Sequence, residues 1–213
     1  MEYAGGMDFQ RPVEAVIPGA QGKILAVLVE TSAELNLRTL ARLSGVSVAQ
    51  ASRVMPSLVT LGLVERREAP PSALFRLVRD HVAARAVVAL AGAREAVIDE
   101  LAMTAAELDP APVSVVVFGS FARGGADADS DVDVVVVRPD GVDEDDDGWR
   151  AGLDHWQDNA RRLTGNRIEV LEIADGEISR RRRGRAALWQ DVQRDGVVVF
   201  GAGLEALRGR RSA

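Results

Sequence analysis

The sequence predicts an α+β chain of two modules: a set of helices closed by a β-hairpin, then a domain with a small mixed sheet flanked by helices. Three observations carry this. Apolar residues recur at three- and four-residue spacing from Pro18 to about Gly62. Two short strand-like runs follow, on either side of a turn holding Pro70 and Pro71. Beyond Pro110, two continuous apolar runs, VSVVVF and VDVVVV, flank a Gly-Ser corner and an acidic loop.

With 213 residues and 47% hydrophobic content, the chain can bury one large core or two small ones. It has no cysteine, which excludes disulfides and thiolate metal sites and agrees with a cytoplasmic location. The start MEYAGGMDFQRP lacks the basic and apolar segments of a signal peptide. No apolar stretch approaches the ~18 residues that span a bilayer, so no membrane partner is expected. The net charge of −6 is unevenly spread: residues 20–81 hold eight Lys/Arg against five Asp/Glu, and residues 109–213 hold fifteen against twenty. A basic half beside an acidic half argues for modules with different partners. The expected boundaries are 18–81, 82–109 and 110–203.

Residues 1–17 show no period and are expected to be a loosely attached lead-in. Ile24, Leu25, Leu28 and Val29 mark the first helix. Asn36 can cap a second, Leu37 to Leu43. Ser44-Gly45-Val46 reads as a tight turn, and Ser47 as the cap of a third helix ending at Gly62, with Pro56 expected to bend or split it. Leu63 to Arg67 and Ala73 to Val78 read as the hairpin. This order, over LARLSGVSVAQASRVMPSLVTLGLVERRE, resembles the winged helix-turn-helix domain of bacterial transcription regulators. The resemblance implies a double-stranded DNA partner. Ser47, Gln50 and Arg53 would read bases from the third helix, and Arg66, Arg67 and Arg76 would meet phosphates from the wing. Winged helices also serve as protein-interaction modules. A homodimer would be needed for useful DNA affinity from so small a footprint.

Ala83 to Leu108 is Ala-rich and reads as one long connecting helix ended by Asp109-Pro110. In the second module, Val113 to Phe118 runs into Gly119-Ser120, and ten residues later comes Asp131-Val132-Asp133. Glycine at a strand end lets backbone N–H groups approach an anion, and serine adds a hydroxyl donor. Strand alternation puts Asp131 and Asp133 on one face. Paired carboxylates repel unless a divalent cation joins them. Together they are equipment for metal-assisted nucleotidyl transfer. A calcium loop fits poorly, since its glycine position holds Val132 and its twelfth position Arg138. The bland alternative is an acidic surface loop between two core strands.

Gly-Ser, ten residues, then Asp-x-Asp, with FARG following at Phe121 to Gly124, resembles the signature of minimal nucleotidyltransferases in the polymerase-beta-like superfamily. The resemblance covers about half the chain. It implies an NTP substrate, with Gly119, Ser120 and Arg123 at its phosphates. It also implies two magnesium ions at Asp131 and Asp133, or one with the second arriving on the nucleotide. The third strand of this domain is expected over Arg167 to Ile173, and the resemblance places a third carboxylate there. Position for position that is Glu169, as metal ligand or general base; Glu172, the alternative, is expected to face solvent. Relatives of this kind modify RNA ends, proteins or small molecules, and several belong to toxin–antitoxin pairs. The other reading is a DNA-binding regulator whose nucleotidyltransferase domain senses nucleotide without turnover. Trp149 to Leu163 reads as an amphipathic helix whose tryptophans are core, with His155 exposed. Arg180 to Arg185 is a basic cluster that could grip an acceptor or triphosphate, or simply begin a solvated helix. A closing helix and the strand VVVFG follow.

Overall fold

The computed structural model describes residues 5–178, 187–203 and 206. Arg180 to Arg185 and the arginines of the C-terminal tail lie outside the described residues. The chain forms two compact units: Arg11–Ala93, and Met1–Gln10 together with Arg94–Ala213.

In the first unit, α1 (Pro12–Val16) and α2 (Gly19–Glu30) lead to a two-residue strand, β1 (Leu35–Asn36). Then come α3 (Leu37–Leu43), α4 (Val48–Thr60), β2 (Val64–Ala69), β3 (Ser72–Leu77) and α5 (Val82–Ala91). The sheet order is β1-β3-β2, antiparallel throughout. Local chemistry sets the helix ends. The Asn36 side chain accepts from the Thr39 N–H at 2.9 Å. Ser47 and Gln50 form a reciprocal capping box at the start of α4. The core gathers Ile24, Leu25, Leu28, Leu40, Met55 and Leu58 with Val64 and Phe75 of the hairpin. Pro56 does not split α4, which runs through it. It is exposed, so the carbonyl that loses its partner faces water rather than protein.

The expected single helix over Ala83 to Leu108 is two: α5 closes at Gly92, and α6 runs Ala93–Ala105. Glycine costs about 1 kcal/mol in a helix interior relative to alanine, and here the chain breaks at it.

The second unit holds a four-stranded sheet in the order β6-β5-β4-β7. Its strands are β4 (Ser114–Phe118), β5 (Val132–Arg138), β6 (Ile168–Ala174) and β7 (Val197–Gly201). A short turn of helix, α7 (Gly119–Ala122), follows β4. β4 pairs antiparallel with β5 and β7, and β5 pairs parallel with β6. A parallel pair needs a crossover, supplied by α8 (Asp147–Thr164). Asp146 caps α8 by accepting from the Trp149 N–H at 2.9 Å. Trp149 and Trp156 are buried and His155 is exposed, as expected, but Leu163 is half-exposed and Thr164 takes the buried place. On one sheet face Val116, Phe118, Val135, Val137 and Ile173 pack with Ile178 and with Trp189 and Val192 of α9 (Ala187–Asp195). Among the described residues no helix is long and apolar enough to cross a membrane.

The described part of the lead-in is not all loose. Gly6 N–H donates to Ala128 O, Met7 N–H to Thr164 O and Gln10 N–H to Ala126 O, at 2.9–3.1 Å. Phe9 is buried, its ring edge-on to Phe121 at 4.9 Å. Residues 5–10 are therefore a strap on the second unit. Their partners lie over 100 residues away, which is why no local pattern marks them.

Candidate active site and helix-turn-helix face

β4 delivers the chain to Gly119, whose φ of +72° is a left-handed conformation natural to glycine. A Cβ there would fall on Asp133 Oδ2, so the Asp133 carboxylate lies directly against the Gly-Ser corner. Register explains this: Phe118 pairs with Asp133 across β4 and β5, and Asp133 pairs with Glu169 across β5 and β6. Partners in register project on the same face. Ser120 is half-buried, and its Oγ makes no hydrogen bond among the described residues.

Burial raises the Asp133 carboxyl above its ordinary value, and the nearby charges of Glu169 and Asp131 raise it further; Arg123 opposes them. The three acids thus feel one another. Glu169, however, is ion-paired with Arg167, two residues back and just before β6 begins. Among the described residues no group of three or more Asp, Glu or His side chains is drawn together tightly enough to hold a metal. The residues that could hold a cation are the Asp131 and Asp133 pair. Its hard oxygen donors, and a carboxylate strained by burial and like charge, suit a magnesium-type ion, which takes one or two carboxylates plus substrate phosphates. Arg167 engages Glu169 through Oε1 alone.

Arg123 donates to Asp195 Oδ2 at 2.6 Å. Arg194 and then Arg123 hold the Asp195 carboxyl down at about 2. Sequence reading missed Asp195, which no local pattern ties to the FARG segment. It also missed Arg94, whose Nε donates to Phe121 O at 2.8 Å and whose guanidinium also binds Ala122 O. Asn166 was missed too, though its side chain bonds the loop that precedes Asp131. Glu172 is a correction: it does not face solvent freely but is half-buried and ion-paired with Arg138.

In the first unit, Ser47, Gln50 and Arg53 are all exposed near the start of α4. The capping box occupies Ser47 Oγ and Gln50 Oε1, leaving the Gln50 amide nitrogen and Arg53 to point outward. The wing arginines are compensated. Arg66 pairs with Glu68 at 2.7 Å, Arg76 with Glu65 at 2.6 Å, and Arg67 with Glu34.

Comparisons with known proteins match these two parts separately. Residues 22–68 match the IclR helix-turn-helix domain, and residues 98–183 match the nucleotidyltransferase domain. A solved structure from Sulfolobus solfataricus, described as a "putative nucleotidyltransferase", is similar at 20% identity over 50% of this chain and 81% of its own, with a TM-score of 0.30. Similarity that remote carries no inference about the site. No curated protein matches the chain. The chain joins an IclR-type helix-turn-helix segment to a nucleotidyltransferase domain.

Proposed function

We propose that the chain transfers a nucleoside monophosphate from an NTP to a hydroxyl on an RNA, a protein or a small molecule, in a magnesium-dependent reaction. In this reading its helix-turn-helix module binds double-stranded DNA. The observation that carries it is the Asp133 carboxylate lying against Gly119, with Glu169 in register beside it. The acceptor oxygen bonds to the α-phosphorus as the bond to the β-phosphate breaks, and pyrophosphate leaves. The acceptor proton passes to Glu169 once that carboxylate is released from Arg167. Asp131 and Asp133 would hold magnesium, which neutralises phosphate charge when bound. Gly119 N–H, Ser120 Oγ and Arg123 orient the β- and γ-phosphates. Most of the acceleration then comes from positioning and charge, with little covalent work by the protein.

The test is incubation of the protein with each α-labelled NTP and magnesium in a cell lysate. Label is expected on one macromolecule or metabolite, and Asp131→Ala with Asp133→Ala should remove it. Labelling unchanged in that double variant sinks the assignment. The Arg167 ion pair on Glu169 favours a second reading, a regulator that binds nucleotide without turnover. Sequence-selective, salt-dependent DNA binding with no transfer to any acceptor would select it. A cytoplasmic, autoregulated setting such as a toxin–antitoxin pair would use both modules, and a homodimer would double the DNA footprint.

A further inference from the structure

The site depends on how the backbone delivers Asp131, which stands just before β5. Both peptide neighbours of Asp131 are tied to one dipeptide. Ser130 O accepts from Asn166 Nδ2 at 2.9 Å, and Val132 N–H donates to Arg167 O at 2.8 Å. Asn166 also donates to Asp127 O at 3.1 Å, and its Oδ1 accepts from the Met7 N–H at 2.9 Å. Asn166 is 2% exposed, with both amide donors and its acceptor used. No residue but asparagine offers two donors and an acceptor at that length. Aspartate would lose both donors and leave two loop carbonyls without their partner. The next residue, Arg167, holds Glu169.

We infer that Asn166 is a positioning residue of the nucleotidyl-transfer site, clasping the N-terminal strap to the Asp127–Ser130 loop so that Asp131 meets the cation beside Asp133. The inference rests on the proposed reading of the Asp131 and Asp133 pair. Asn166 touches neither substrate nor metal; it acts through the loop.

The test uses the full chain with Asn166→Asp, and Met7→Pro as a milder variant that removes, outside the loop, the N–H donor that Asn166 Oδ1 shares with Thr164 O. In metal-free protein, amide exchange at residues 126–132 should quicken at least about tenfold, while β4 amides keep their protection. Mn2+ titrated alone and followed by electron paramagnetic resonance should bind about tenfold or more weakly, the usual cost of removing a group that orients a ligand. The magnesium concentration for half-maximal transfer should rise in parallel, with the KM for NTP at saturating metal little changed. Met7→Pro should shift each readout the same way, less far, and decides the matter if Asn166→Asp does not fold. A folded variant with parental loop exchange overturns the inference, and so does faster exchange with parental Mn2+ binding. Failure of the underlying reading looks different: Asp131→Asn would then leave transfer and Mn2+ binding intact.

Discussion

Asp133 shows what the candidate site costs the fold. Its carboxyl is raised chiefly by burial, then by Glu169 and Asp131. A raised carboxyl means that the native state holds its proton more tightly than the unfolded chain does. The penalty is therefore absent at low pH, grows as pH climbs from the ordinary value of 3.8 through the raised one, and is fully present at neutral pH. Asp133→Asn removes it. Because the group is only half-buried and partly screened, the gain should be modest, about 0.5–1 kcal/mol at pH 7.5. Urea unfolding of parent and variant should show that difference at neutral pH and lose it towards pH 3.5, while transfer is abolished. A variant that is less stable at pH 7.5 would mean that the acids are not in conflict. The identity of Asp133 was legible because strand alternation and a fixed spacing both point to it. Asn166 was not, because a buried amide that serves backbone groups of two distant segments leaves no periodic trace.

The wing carries three arginines, yet each already faces a glutamate: Arg66 with Glu68, Arg67 with Glu34, Arg76 with Glu65. Exposed pairs of this kind are worth about 0–1 kcal/mol, so phosphates could displace the partners. The displaced carboxylates would then sit beside the DNA backbone, which works against binding. The Gln50 amide and Arg53 on α4 are left as the open groups of the predicted set. The double variant Glu65→Gln, Glu68→Gln should therefore bind duplex DNA more tightly. Its salt dependence should steepen by about 0.9 in log–log slope for each additional phosphate that the freed arginines neutralise. Arg53→Ala should weaken binding. A double variant that tracks the parent across a salt series would remove the wing from the DNA face. Sequence could name these arginines on the hairpin and the helices that precede it, since caps at Asn36 and Ser47 and a periodic apolar face are local signals. It could not show their neutralisation, because Glu34 meets Arg67 only once the wing is folded. Element ends were misread where a local rule met tertiary context. Pro56 sits unbroken within α4, whose buried face is held by Ala51, Met55 and Leu58, whereas Gly92 divides α5 from α6.

At the scale of the molecule, two modules were legible from the change in period and charge, but the division of the chain between them was not. The unit that holds the candidate site includes Met1–Gln10 as well as Arg94–Ala213, so residues 11–93 are inserted in sequence between its two parts. Composition made the first segment look loosely attached; Phe9 makes it structural. The residue is 6% exposed, and its ring meets Phe121, the residue after Ser120. Truncating a buried aromatic costs about 3–5 kcal/mol, a large share of the roughly 5–15 kcal/mol that holds a typical domain. Phe9→Ala should therefore lower the unfolding temperature of the nucleotidyltransferase unit while leaving the helix-turn-helix unit near its parental value. Hydrogen exchange read peptide by peptide separates the two: protection should fall across residues 114–137 and hold across 22–68. A chain begun at residue 94 should behave like the variant, because it lacks the strap altogether. Equal loss in both units would mean that they unfold as one body, and no loss in either would return the segment to the loose lead-in that its composition suggested.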